Sequence, residues 1–165
     1  MKNLIDLNIN VKFYHKKTKL QYWGGYFMFK WKDKFSVGIE KFDNQHQKLL
    51  EIGRELYYAF DNVEEGIDQY DKIIEILKKL HDYTIYHFDS EEEILEKYGY
   101  PHLDKHQEAH ENFVKKIEEI DLKEIDLNQK EFSMELLNFI ATWIENHIMG
   151  EDQKYIPYLE NKDID

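Results

Sequence analysis

The chain has 165 residues, which suits one domain with a sizeable core. Its 22 basic and 34 acidic residues give a net charge of −12; this argues against a nucleic-acid binder, which needs a basic stripe, and against adsorption to anionic membranes. The absence of cysteine excludes disulfides, iron–sulfur clusters, thiolate zinc sites and covalently attached c-type haem, and fits a reducing cytoplasm.

Residues 1–30 hold six lysines and one aspartate, a net of +5, whereas the remaining 135 hold 16 basic and 33 acidic residues, a net of −17. The opening stretch lacks helical periodicity and turns aromatic around Tyr22-Trp23-Gly24-Gly25-Tyr26-Phe27. Asp6 breaks its early apolar run and no small-residue cleavage site follows, so it does not read as a signal peptide. Residues 1–27 are expected to be a poorly ordered extension, and 28–165 the functional unit. Trp31 to Ile39 reads as an irregular arm.

Asp43 is an expected N-cap for a first helix over about 44–60. Its apolar seam runs Phe42, His46, Leu49, Gly53, Leu56, Phe60. After a polar turn at Gly66, a second helix runs from about Asp68 to Tyr98 and stops at Gly99. Its seam is Ile73, Leu77, Leu80, Thr84, His87, Glu91, Ile94. Pro101 opens a third helix to about Ile120, with the seam Leu103, His106, His110, Phe113, Ile117, Ile120. Asp121–Asn128 reads as a charged connection to a fourth helix over about 129–149, with the seam Phe132, Leu136, Ile140, Trp143, His147. Gly150 interrupts that helix, and a terminal turn or short helix carries Tyr155 to Tyr158. Steps of three and four residues mark the buried stripe of a packed helix. Short connections make neighbouring helices antiparallel. The prediction is an all-α, up-down-up-down four-helix bundle with an N-terminal arm.

Five of the eight histidines stand on these stripes where apolar residues belong. One seam histidine is more often a hydrogen-bonded core residue than a ligand. Here His87 precedes Glu91 by four residues, His106 precedes His110 by four, and His147 precedes Asp152 by five, with His46 alone on the first helix. Residues four apart share a helix face. In antiparallel order, the starts of odd helices and the ends of even ones share one end of the bundle, so all seven converge. Imidazole plus carboxylate is the ligand set of iron, manganese or zinc, and this many ligands suggest two ions. His15, His81 and His102 lie off the register and are read as surface or structural.

With these residues in place, the chain resembles the bacterial hemerythrins, an oxygen-binding non-haem di-iron family. The resemblance covers about residues 28–160. Its marks are Trp31, Phe35-Ser36-Val37-Gly38-Ile39, Phe42-Asp43-Asn44-Gln45-His46 and His87-Phe88-Asp89-Ser90-Glu91-Glu92. They continue with Tyr100-Pro101, His106-Gln107-Glu108-Ala109-His110 and Trp143-Ile144-Glu145-Asn146-His147-Ile148, ahead of Asp152 and Tyr155. The resemblance implies that His106, His110 and His147 bind one iron and His46 and His87 the other. Glu91 and Asp152 would bridge the two ions together with an oxo or hydroxo group. It further implies that dioxygen binds end-on at the open position of the two-histidine iron.

Mostly neutral ligands, with Phe88, Trp143, Ile144 and Ile148 as an apolar wall, favour reversible binding over catalysis. No acid-base residue stands out beside the ligands. Ile144 occupies a position that is usually Leu in the family, which bears on the shape of the oxygen pocket. The expected function is a non-enzymatic oxygen carrier, store or sensor. The alternatives are a di-iron oxidase or peroxidase, or a nitric oxide- or iron-handling protein. No large exposed apolar stripe calls for an oligomer, so a cytoplasmic monomer is expected, with no membrane association.

Overall fold

The computed structural model describes residues 29–64, 66–127 and 129–164. The extension expected over 1–27, with His15 in it, lies outside the described residues, as does the Phe132 side chain. Among the described residues there is no strand, and the element order is all helical. A 3-10 turn, Asp33–Phe35, leads to α1 (Glu40–Glu64), α2 (Tyr70–Lys97) and α3 (Leu103–Glu118). Then follow α4 (Leu122–Leu127), α5 (Gln129–His147), a π-helical turn (Ile148–Asp152) and α6 (Gln153–Leu159). No helix of the described residues is long and apolar enough to cross a membrane.

The four long helices are antiparallel, as the cross-helix pairs demonstrate. Between α1 and α2, Gln45 meets His87, and Glu55 meets Lys79 at 2.7 Å. Between α2 and α3, Glu91 meets His106, and His81 meets Glu118. Between α3 and α5, His110 meets His147, and the Phe113 ring stacks on Trp143 and Phe139. Rising numbers on one helix pair with falling numbers on the next each time. The expected bundle is the observed one.

Several boundaries differ from the sequence reading, each for a local reason. α1 begins at Glu40, so Asp43 is not its N-cap but lies inside the first turn. There its carboxylate accepts from the Val37 N–H at 2.8 Å and the Ser36 hydroxyl at 2.5 Å, fastening the arm to the helix. An acidic side chain in a first turn is also favoured by the helix dipole. Pro101 sits in the turn before α3 rather than inside it. That turn is set by Gly99 at φ +69, with the Gly99 N–H on the Glu96 carbonyl and the Tyr100 N–H on the Leu95 carbonyl. These paired bonds close the end of α2 and need the left-handed conformation that glycine adopts freely. The connection expected over Asp121–Asn128 is largely helical. Asp121 accepts from the Lys123 N–H at 2.9 Å, and Ile125 is fully buried. A buried apolar anchor thus helps a charged stretch to fold.

The core has two parts. The larger fills the middle of the bundle with residues such as Leu49, Leu80, Phe113, Ile140 and Ile144. The smaller closes one end with Val37, Phe42, Ile94, Leu95, Tyr100, Tyr155 and Leu159. On α1, His46 falls between Phe42 of the smaller cluster and Leu49 of the larger, and on α2, His87 and Glu91 fall between Leu80 of the larger and Ile94 of the smaller. A polar layer is thus sealed on both sides by apolar packing.

Gly53 on the α1 seam exists for a close approach. A methyl group placed on it would overlap the Phe29 ring, which is 1% exposed. Alanine would otherwise favour the helix by up to ~1 kcal/mol. Overpacking costs ~1–3 kcal/mol, so the clash wins. Gly53→Ala is expected to lower the melting temperature by a few degrees, at ~2–4 °C per kcal/mol for a chain of this size. The double variant with Phe29→Ala should lose less than the sum of the two single losses, since contacting sites couple. Independent, additive losses in thermal denaturation would contradict this packing.

Candidate metal centre

His46 stands on the second turn of α1, His87 and Glu91 in the second half of α2, and His106 and His110 at the start of α3. His147 ends α5 and Asp152 ends the π-helical turn. All seven are buried, with exposures from 0% to 5%. The sequence spacing of five between His147 and Asp152 finds its explanation here. In an α-helix a residue five along has rotated off the face, whereas a π turn takes in an extra residue and brings it back. Asp152 Oδ1 consequently lies 3.0 Å from His147 Nε2. The chain is not interrupted at Gly150, as the sequence suggested, but passes through it as this turn.

The ligand-type atoms gather into two groups. Glu91, His106, His110 and His147 form one, and His46, His87 and Glu91 the other, with the atoms of each group within 4.8 Å of one another. Glu91 belongs to both. Asp152 also spans them, with Oδ2 3.3 Å from His46 Nε2 and Oδ1 3.0 Å from His147 Nε2 and 3.8 Å from His106 Nε2. The structure therefore brings all seven predicted residues together. His102 is exposed, and His81 bridges Asp82 and Glu118 on the surface; neither approaches the cluster.

Outer partners fix which nitrogens face inward. His87 Nδ1 lies 3.0 Å from Gln45 Oε1, and His110 Nδ1 lies 2.7 Å from Glu92 Oε1. Both acceptors require the proton on Nδ1, which leaves the Nε2 lone pair directed into the site. His110 Nε2 and His147 Nε2 then meet at 2.8 Å. Two nitrogens directed at one point suit a shared cation. Phe88 stacks face to face on His110 at 3.6 Å, and Trp143 on His147 at 4.4 Å.

The charge state follows from the packing. Burial lowers the His87 pKa to about 3, so its imidazole is neutral. Burial pushes Glu91 up, but hydrogen bonds from His106 and His110 outweigh this and hold it well below the usual carboxylate range. Asp152 is likewise held low by His147 and His46 against burial and the repulsion of Glu91. For His46 burial acts downward, and Asp152 more than reverses it. Yet both Asp152 oxygens, both His46 nitrogens and His106 Nδ1 have no hydrogen-bond partner. A buried ionised carboxylate so placed costs several kcal/mol, roughly, unless a cation meets it. A neutral His87, two ionised carboxylates and these orphaned atoms fit bound divalent metal.

Three contributors were missed from sequence. Gln45 and Glu92 are the polar neighbours of His46 and Glu91, and only the helix rotation turns them toward His87 and His110. Tyr155 is the third, and it corrects the expectation that no acid-base group stands beside the ligands. Its hydroxyl donates to Glu91 Oε1 at 2.5 Å, with the side chain 0% exposed. Burial and the nearby Glu91 and Asp152 raise its pKa well above the ordinary value, so it keeps its proton. Its position three residues after Asp152, one turn along the same face, was the available signal.

A family model described as hemerythrin HHE cation binding domain matches residues 37–159. A bacteriohemerythrin of Clostridium acetobutylicum is 44% identical over 129 residues, 78% of this chain and 99% of that one. A bacteriohemerythrin of Stenotrophomonas maltophilia is 33% identical over 125 residues, 76% of this chain and 77% of the relative. A hemerythrin-like protein of Naegleria gruberi is 30% identical over 127 residues, 77% and 90% respectively.

Proposed function

The chain belongs to the hemerythrin family, and from that premise we propose that it binds dioxygen reversibly at a di-iron centre without turning it over. His106, His110 and His147 would hold one ion and His46 and His87 the other, with Glu91 and Asp152 bridging. The observation that carries this is Asp152: a fully buried carboxylate between two groups of histidines, with neither oxygen hydrogen-bonded. Two ferrous ions, when bound, supply the electrons that dioxygen takes up and recover them on its release.

The chain's own residues account for reversibility. His87 stays neutral, so Glu91 and Asp152 supply the negative charge among the seven ligands. Carboxylate-rich sites favour oxidative chemistry more strongly. Tyr155 holds one Glu91 oxygen and leaves the other facing His106 at 2.9 Å. Phe88, Ile144 and Ile148 are 2–3% exposed and, with the Trp143 ring, exclude water from this end of the bundle. Water and stray protons would otherwise promote loss of reduced oxygen species. A non-enzymatic, cytoplasmic monomer is the setting we propose for such a carrier, store or sensor.

The test is an optical spectrum of reduced, iron-loaded protein before air, after air and after deoxygenation. A charge-transfer band that appears and then disappears supports binding. Steady oxygen consumption in the presence of a reductant would instead favour the oxidase alternative. The division of the chain is part of the same proposal. A chain beginning at Met28 keeps Phe29 and every ligand, and it is expected to fold, load iron and bind oxygen as the full chain does. Insolubility or loss of metal would put the aromatic stretch around Trp23 in the core.

A further inference from the structure

We infer that Glu92 is a positioning residue for the metal centre: through its hydrogen bond from His110 Nδ1, it makes His110 a stronger nitrogen donor than His46, His87 or His106 and stabilises the oxidised centre. This rests on the reading that His110 binds metal. The outer nitrogens of the site histidines are not treated alike. His110 Nδ1 meets a carboxylate at 2.7 Å, His87 Nδ1 meets a neutral amide oxygen at 3.0 Å, and the Nδ1 atoms of His46 and His106 have no partner. A hydrogen bond to a charged acceptor is roughly twice as strong as a neutral one. It draws the Nδ1 proton outward and raises the basicity of Nε2, the atom that faces the site.

The geometry makes this contact a fixed one. Glu92 Oε2 accepts from Gln107 Nε2 at 2.9 Å while Oε1 accepts from His110, so both oxygens are held by α3. The His110 ring is 2% exposed and is pinned from its face by Phe88 at 3.6 Å, with an interplanar angle of 3°. In-plane orientation comes from Glu92 and out-of-plane orientation from Phe88. The Glu92 side chain itself is 22% exposed, so its replacement does not open the core.

The experiment compares wild type with Glu92→Gln, Glu92→Ala and Glu93→Gln, each loaded with ferrous iron under anaerobic conditions. Glu93 is exposed, so Glu93→Gln removes the same charge without touching a ligand. Competition against a ferrous chelator gives affinity, and a mediated titration gives the midpoint potential. Glu92→Ala is expected to bind iron ~10–100-fold more weakly, the usual cost of losing a ligand's outer partner, and to shift the midpoint to a more positive value. Glu92→Gln, which keeps an acceptor but not the charge, should fall between it and wild type, while Glu93→Gln should match wild type. Nitrogen NMR of the metal-free protein should find the His110 proton on Nδ1 in wild type and redistributed in Glu92→Ala. Full iron loading with unchanged affinity and potential in Glu92→Ala would overturn the role of Glu92 while leaving the di-iron reading standing. Failure of wild type to load an iron pair would overturn both.

Discussion

Glu91→Ala is expected to abolish the coupled iron pair. Glu91 is shared by the two groups of ligand-type atoms, with Oε2 2.9 Å from His106 Nε2 and 3.5 Å from His110 Nε2. Removing a ligand common to both ions should weaken loading by more than the ~10–100-fold that follows loss of an outer-shell partner. The substitution also leaves the Tyr155 hydroxyl without its acceptor, at a cost of ~1–3 kcal/mol for a buried donor. Glu91→Gln separates the two effects, since the amide oxygen still accepts from Tyr155 but carries no charge. That variant should fold near wild-type stability and still fail to hold the pair. Anaerobic loading followed by metal analysis and a coupling-sensitive spectrum decides it. A wild-type coupled pair in Glu91→Gln would remove Glu91 from the ligand set.

The second large effect is the dependence of stability on metal. Without metal, the layer between the two core clusters contains an unpartnered carboxylate and unpartnered imidazole nitrogens. Metal binds the folded arrangement and not the unfolded chain, so its binding free energy adds to stability. At a thousandfold excess over the dissociation constant this is ~4 kcal/mol. At ~2–4 °C per kcal/mol, the iron form should melt ~8–16 °C above the metal-free form. The metal-free protein should remain helical, because the larger cluster does not depend on the site. Hydrogen exchange should quicken on metal removal around His46, His110 and His147 and change little toward Ile73 and Val63. Equal protection at the ligand end in both forms would mean that the histidines are satisfied without metal.

Acid should act on the same end of the metal-free bundle. His87 has its pKa lowered to about 3 by burial, so from about 6.5 downward the unfolded chain takes a proton that the folded one refuses, and stability falls. Glu91 and Asp152, whose pKa values are depressed, contribute stability that is lost as pH falls through and below the usual carboxylate range. His46 and His110 are raised and act in the opposite sense, favouring the folded state below their ordinary value.

Most of the fold was legible because the seams are long and regular. Every seam residue from Phe42 to Phe60 and from Ile73 to Ile94 is buried as read. Helix ends were less legible, because they depend on contacts remote in sequence. Asp43 looks like a cap from its neighbours, and only the fold of the arm shows that it caps Val37 instead. The α4 segment is too short and too charged for periodicity to mark it, although Ile125 is buried there. The seven candidate ligands were visible because each sits where an apolar residue belongs. Gln45, Glu92 and Tyr155 were not, because nothing in their spacing states which ring or carboxylate they face. The π turn was foreshadowed by the spacing of five from His147 to Asp152, a step that no α-helical face accommodates.

The most direct test of the central claim is a Mössbauer spectrum, with metal analysis, of protein loaded with iron-57 under anaerobic conditions and then oxidised. Two irons per chain are expected, magnetically coupled, with no isolated ferric signal. A single tightly bound zinc with no iron uptake, or one uncoupled iron per chain, would contradict it.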